Sequence, residues 1–163
     1  MADGLVLRSA RPGDVEEIAR LVRARCRHSG EPDAFVDTGF FAKELFGPRA
    51  GLHAIVAARP SGGLAGHALF HVAYEAAYAA RGGYLAELFV DPDARGRGLG
   101  EALMSAVAAA VRDDGGAYLW LTTAADGDAR GFYDRIADVL ADKVVFYAVT
   151  RDAFQRLADS DRA

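Results

Sequence analysis

Between Phe89 and Leu103 the chain runs from an apolar stretch, Phe89-Val90, through the turn Asp91-Pro92-Asp93-Ala94-Arg95-Gly96-Arg97-Gly98, into a segment of helical periodicity beginning at Leu99. A strand thus hands over to a helix through a turn rich in glycine. Glycines at 96, 98 and 100 let the backbone come close to an anion, and the unpaired N–H groups of the next helical turn point at it with the positive end of the helix dipole. The pattern reads as a pyrophosphate pocket, with Arg95 and Arg97 inside the turn. Spacing excludes two familiar versions. A P-loop needs four residues between its glycine and Gly-Lys-Ser/Thr, and the chain has no such run. A dinucleotide fingerprint needs a third glycine where Glu101 stands.

Composition narrows the field further. With 163 residues, 52% of them hydrophobic and 26% charged, the chain has the make-up of an ordinary globular protein and the length of a single domain, expected over 1–163. A net charge of −4 argues against a broad nucleic-acid interface, which needs a basic face, and mildly favours cationic substrates. Cys26 is the one cysteine and can form no internal disulfide, so a cytoplasmic location is expected. The N-terminus lacks the basic flank and apolar run of a signal peptide, and no apolar stretch is long enough to span a membrane.

The periodicities predict a strand over Leu5–Arg8, a helix from about Val15 to Ser29, and a shorter helix carrying Phe40, Phe41, Leu45 and Phe46. They continue with a hairpin of His53–Ala58 and Leu64–Tyr74, a strand over Tyr84–Val90, and a helix over Leu99–Arg112. A strand over Tyr118–Thr122, a short helix over Asp128–Ile136, a strand over Lys143–Thr150 and a terminal helix over Arg151–Leu157 complete the order. The expected fold class is α/β, with a mixed, mostly antiparallel central sheet and flanking helices.

The motif Arg95-x-x-Gly98-x-Gly100, preceded by Leu88-Phe89-Val90-Asp91-Pro92, resembles the coenzyme A pyrophosphate loop of the GNAT superfamily of N-acetyltransferases. The order of elements is similar to the GNAT fold over nearly the whole chain. A second signature, Asp126-x-x-Ala129-x-x-Phe132-Tyr133, matches the family's Asn-x-x-Ala-x-x-Phe-Tyr except that Asp126 replaces the asparagine. An ionised aspartate can only accept where an asparagine can also donate, so the contact to the pantetheine arm differs in kind.

His28, His53, His67 and His71 show no metal-ligand spacing with cysteines or acids, so no metal is expected. The resemblance implies acetyl-CoA as co-substrate. It places the backbone of Gly96, Arg97, Gly98, Leu99 and Gly100 on the pyrophosphate with Arg95 beside it, and Phe89 and Val90 against the pantetheine amides. A backbone N–H near Leu88 or Phe89, left unpaired where two parallel strands part, would polarise the thioester carbonyl. Tyr133 takes the role of general acid toward the departing thiolate, and Glu87 that of general base, directly or through a water, or of acceptor ligand. His67 and His71 lie at an even separation on one strand and so share a face, either bordering the acceptor cleft or packed as core histidines.

Within the superfamily, Tyr84-Leu85-Ala86-Glu87-Leu88-Phe89-Val90, the apolar strand Ala65–Tyr74 and the ending Phe146-Tyr147-Ala148-Val149-Thr150-Arg151-Asp152 look like the diamine (spermidine/spermine) or thialysine branch. That branch implies a small primary amine as acceptor and a homodimer, with no nucleic acid or membrane as partner. A non-catalytic acyl-CoA-binding regulatory domain and a protein or peptide N-acetyltransferase stand as alternatives.

Overall fold

The structure, a computed structural model, describes residues 4–138 together with Phe154, Arg156 and Ala158. Residues 1–122 form one compact unit and 123–163 a second. The expected strand over 143–150 lies outside the described residues, as does most of the expected terminal helix.

In the first unit, β1 (Val6–Ser9) leads through a single 3₁₀ turn, Pro12–Asp14, into α1 (Val15–His28), followed by α2 (Thr38–Phe46). Four further elements follow: β2 (Leu52–Ala58), β3 (Leu64–Glu75), β4 (Ala80–Val90) and α3 (Leu99–Asp113), before the two-residue strand β5 (Leu119–Trp120). The sheet order is β1-β2-β3-β4-β5. The first four strands pair antiparallel and β5 pairs parallel to β4, which is the mixed, mostly antiparallel sheet expected.

Side-chain spacing decides which helix covers which face. Ile18, Ala19, Leu21 and Val22 recur at helical intervals on α1 and pack with Ala54, Val56, Leu69 and Phe89 from the sheet. Leu99, Leu103, Val107 and Val111 do the same on α3 against Ile55, Ala57, Ala68, Phe70 and Leu85 on the opposite face. Both cores are apolar and both helices are fixed by them.

The α1 entrance is tied down by charge. Arg8 donates to both Asp14 oxygens, at 2.6 and 2.9 Å, and the Arg11 N–H donates to the same carboxylate at 2.7 Å. The Arg8 hydrogen bond holds the Asp14 carboxyl below its ordinary value.

Three elements depart from expectation. β4 starts at Ala80, four residues before the expected Tyr84. Gly82 and Gly83, just before the expected start, are strand residues under close approach: a Cβ on Gly82 would come within 2.5 Å of the Tyr118 carbonyl, and one on Gly83 within 2.6 Å of Val111. β5 is shorter than the expected Tyr118–Thr122. In the second unit, the helix expected over Asp128–Ile136 is α4 (Arg130–Tyr133). It begins after a turn in which Arg130 N–H donates to Gly127, and it loosens where Ile136 N–H reaches back three residues to Tyr133.

A bulge in β4 positions the candidate site. Leu69 faces Glu87 and Phe70 faces Leu85, so Ala86 has no cross-strand partner. Side chains alternate along a strand, and the extra residue shifts that alternation by one. Leu85 accordingly joins the α3-side core, whereas Glu87 and Phe89 turn to the α1 side.

Candidate active site

The glycine turn is held from beneath. Asp91 accepts from Arg20 on α1 at 3.1 Å and from Arg59, which follows β2, at 3.3 Å, while its N–H donates to the Ala65 carbonyl at 2.9 Å. Arg59 also reaches Asp93 at 2.9 Å, and that hydrogen bond holds the Asp93 carboxyl below its ordinary value. The chain then makes one 3₁₀ turn, Pro92–Ala94, with Ala94 buried as a plug.

Beyond that plug the turn is exposed. Gly96 and Gly98 both have φ of 75°, the left-handed region that glycine enters without strain, and a Cβ on either would project into open space. Gly98 is the N-cap of α3, so the N–H groups that follow, from Leu99 onward, lack partners within the helix and face out at its positive end. The geometry fits a bound diphosphate. Arg95 crosses back over this end, its Nε donating to the Val90 carbonyl at 3.0 Å and its guanidinium 5.4 Å from the Phe89 ring centre. Arg97 is exposed, as is Arg95. The side chains of Leu99 and Phe89 are buried in the two cores, leaving only their backbones for a ligand. Leu88 and Val90 pack on the α3 side.

β4 is paired with β5 only at Gly83 and Tyr84. Among the described residues, Leu85–Val90 has no partner on that edge, so alternate N–H and C=O groups there are available to a ligand lying along the strand. β4 and β5 thus part after Tyr84, upstream of Leu88 and Phe89, where the sequence reading placed the unpaired N–H.

Glu87 lies one residue past the bulge. Its Oε1 is 2.7 Å from His67 Nε2 and its Oε2 accepts from Arg25 Nε at 3.2 Å. Arg25 also pairs with Glu31 at 2.7 Å. Burial works against the Arg25 charge, but the Glu31 hydrogen bond and the Glu87 charge outweigh it and raise the guanidinium pKa. One guanidinium against two carboxylates leaves this cluster a net negative charge. On the same face, the His71 ring lies tilted against Tyr84 at 5.3 Å between ring centres, and the Tyr84 hydroxyl meets Thr122 at 3.0 Å.

In the second unit, Asp126 and Ala129 are exposed and Tyr133 is partly buried, its ring 5.0 Å from that of Phe132. Burial pushes the Tyr133 phenol above its ordinary value, so it carries its proton at neutral pH and can donate it.

The structure brings Glu87 together with Arg25, which the sequence did not assign to the site, and with His67, which the sequence left between the acceptor cleft and the core. The available signal was His67 itself, a polar ring inside the apolar run Leu64–Phe70, which requires a buried partner. A cavity of about 310 Å³ lies elsewhere, between the start of β2, residues 70–72 of β3, Arg81 and the last turn of α3. Neither Glu87 nor the glycine turn lines it. Among the described residues no helix is long and apolar enough to cross a membrane, and no group of three or more His, Cys, Asp or Glu could hold a metal ion.

The model of the acetyltransferase (GNAT) family matches residues 16–138. No curated protein matches the chain significantly. Among solved structures, a ribosomal-protein-alanine N-acetyltransferase from Brucella melitensis is similar at 23% identity and a TM-score of 0.70, over 89% of this chain and 98% of that one. An aminoglycoside acetyltransferase from an uncultured soil metagenomic sample reaches a TM-score of 0.76 at 18% identity, over 93% and 99% of the two chains. An acetyltransferase of Trypanosoma brucei gives 0.68 at 21%, over 88% and 99%.

Proposed function

Since the chain belongs to the GNAT acetyltransferase family and is an acetyl-CoA-dependent N-acetyltransferase, we propose that its acceptor is the primary amine of a small molecule, of the diamine or lysine-analogue kind. The net negative Arg25–Glu31–Glu87 cluster carries this reading, because it suits an acceptor that arrives as an ammonium ion.

Acetyl-CoA, when bound, supplies the activated acetyl group. The N–H groups from Gly96 to Gly100 hold its pyrophosphate, and Arg95 and Arg97 add positive charge at the same end. The free edge of β4 at Leu88, Phe89 and Val90 pairs with the pantetheine arm and leaves an N–H for the thioester carbonyl. Asp126 and Ala129 belong to the arm's second contact segment. Glu87 takes a proton from the acceptor ammonium, since only the neutral amine can attack, and Tyr133 returns a proton to the sulfur as it departs. The chain functions as a single domain and as a homodimer in the cytoplasm.

The test is release of free thiol from acetyl-CoA in the presence of diamines, lysine analogues, aminoglycosides and peptides with free N-termini. The expected result is turnover on a small diamine or lysine analogue, rising with pH. Turnover confined to peptide N-termini overturns the small-amine reading, and acetyl-CoA binding with no turnover on any amine overturns catalysis itself.

A further inference from the structure

Glu87 is shared between two partners of different kinds. Arg25 supplies a charge and is itself shared with Glu31, whereas His67 has no exposed surface and makes one polar contact, its Nε2 to Glu87 Oε1 at 2.7 Å. The other ring nitrogen, Nδ1, is buried without a hydrogen-bond partner among the described residues. A proton on Nδ1 would bury an unsatisfied donor and turn the Nε2 lone pair onto a carboxylate. A proton on Nε2 leaves only an unpartnered lone pair, the smaller penalty. Of the two tautomers, the geometry selects the one that carries its proton on Nε2.

We propose that His67 is a positioning residue for acetyl transfer: its Nε2–H fixes one oxygen of Glu87 so that the carboxylate's remaining lone pairs face the acceptor ammonium. The proposal rests on the reading of Glu87 as the base. In the step it serves, a proton passes from the acceptor nitrogen to a Glu87 oxygen, and the nitrogen keeps the electron pair with which it attacks the acetyl carbon. His67 does not receive that proton, because its Nε2 already carries one and its Nδ1 lies on the far side of the ring. The charged and titratable groups packed around Glu87 are His67 from β3, Arg25 from α1 and, through Arg25, Glu31 and Cys26.

The experiment measures kcat, KM for both substrates and the pH profile, using the whole chain with acetyl-CoA and the best amine from the panel above. His67→Leu fills the space without a donor and should lower kcat by about ten- to a hundredfold, the effect of losing one hydrogen bond to a charged group, with KM for acetyl-CoA unchanged. His67→Gln places an amide N–H where Nε2–H was. It should restore kcat to within about threefold of wild type and keep the rising limb at the same pH. If His67→Leu fails to fold, His67→Asn replaces it, since its shorter amide cannot reach Glu87.

Two results overturn the proposal. Loss of the rising limb in His67→Gln makes His67 the titrating group, and wild-type kcat in a folded donor-less variant makes it packing alone. Glu87→Gln in the same series separates the two levels. If its pH limb is unaltered the base reading itself fails and this proposal with it, whereas a silent His67 beside a crippled Glu87→Gln removes positioning only.

Discussion

The glycine turn and the Glu87 cluster are built in opposite ways. The turn itself is one short run, residues 95–100, two of them glycines in the left-handed region, seated on Asp91 and its two arginines, and its donors come with any helix N-terminus. The Glu87 cluster draws one residue each from α1, β3 and β4, separated by as many as 62 positions in the chain, and it exists only because a bulge shifts the strand. The first is a property of local backbone and the second a property of packing. Damage should therefore be local and specific in the turn, and spread across several partners in the cluster.

The sharpest test of that contrast lies on the chemical side. Glu87→Gln should keep the fold and acetyl-CoA affinity while kcat falls by about 10²–10⁴-fold, the range for losing a general base, with the rising pH limb displaced. Tyr133→Phe keeps its ring and should lower kcat by roughly ten- to ten-thousand-fold, again with cofactor affinity intact. Steady-state kinetics beside calorimetric acetyl-CoA affinity check both, and an unchanged kcat removes the residue from the chemistry.

Gly98→Val should do the reverse. A valine held at a φ of 75° costs about 1–2 kcal/mol, and the strain is relieved only by reshaping the cradle. Acetyl-CoA should then bind about five- to thirtyfold more weakly while the cores stay intact. Equal affinity in a folded Gly98→Val protein breaks the assignment of the turn. Asp91→Asn tests whether the turn is as self-contained as it looks, because it weakens the pairs to Arg20 and Arg59 below. A few-fold loss of affinity together with a lower melting temperature is expected, and an effect as large as that of Gly98→Val would show that the turn's shape depends on those two arginines.

The smallest effect belongs to neither region. The folded pKa of Asp14 is depressed by Arg8, so the pair stabilises the protein above the unfolded carboxyl value near 3.9 and loses that contribution as the pH falls through the lower folded value. Melting temperatures of wild type and Asp14→Asn should differ at neutral pH and converge in acid, with acetyl-CoA affinity equal throughout.

The same contrast explains what could be read from the sequence. Gly96, Gly98, Gly100, Arg95 and Arg97 announce themselves because motif and structure span the same few residues. α1 and α3 were equally legible, since apolar residues at helical spacing are what the two cores require. The bulge at Ala86 leaves no mark, because an alanine between Leu85 and Glu87 satisfies a regular strand just as well. The early start of β4 is illegible for a related reason: Gly82 and Gly83 suit this strand because of the nearness of Tyr118 and Val111, more than 25 residues on. Family likeness and adjacency to the motif single out Glu87 as a candidate, but Arg25 and His67 can be tied to it only by the register of β3 on β4 and the seating of α1.

The unpaired Ala86 also makes β4 behave as two words read in different frames. Upstream, the odd position Leu85 is written for the α3 core; downstream, the odd positions Glu87 and Phe89 are written for the α1 side. Flattening the bulge with Ala86 retained would rejoin the frames, bringing the carboxylate into phase with Leu85 and driving an ionised group toward the apolar side chains of Leu103 and Val107. The acid at 87 thus keeps its side of the sheet because the residue before it is taken up as a bulge: deleting Ala86 should leave a regular strand with Glu87 still facing α1, whereas one further residue inserted there and paired regularly should turn the carboxylate toward the α3 core.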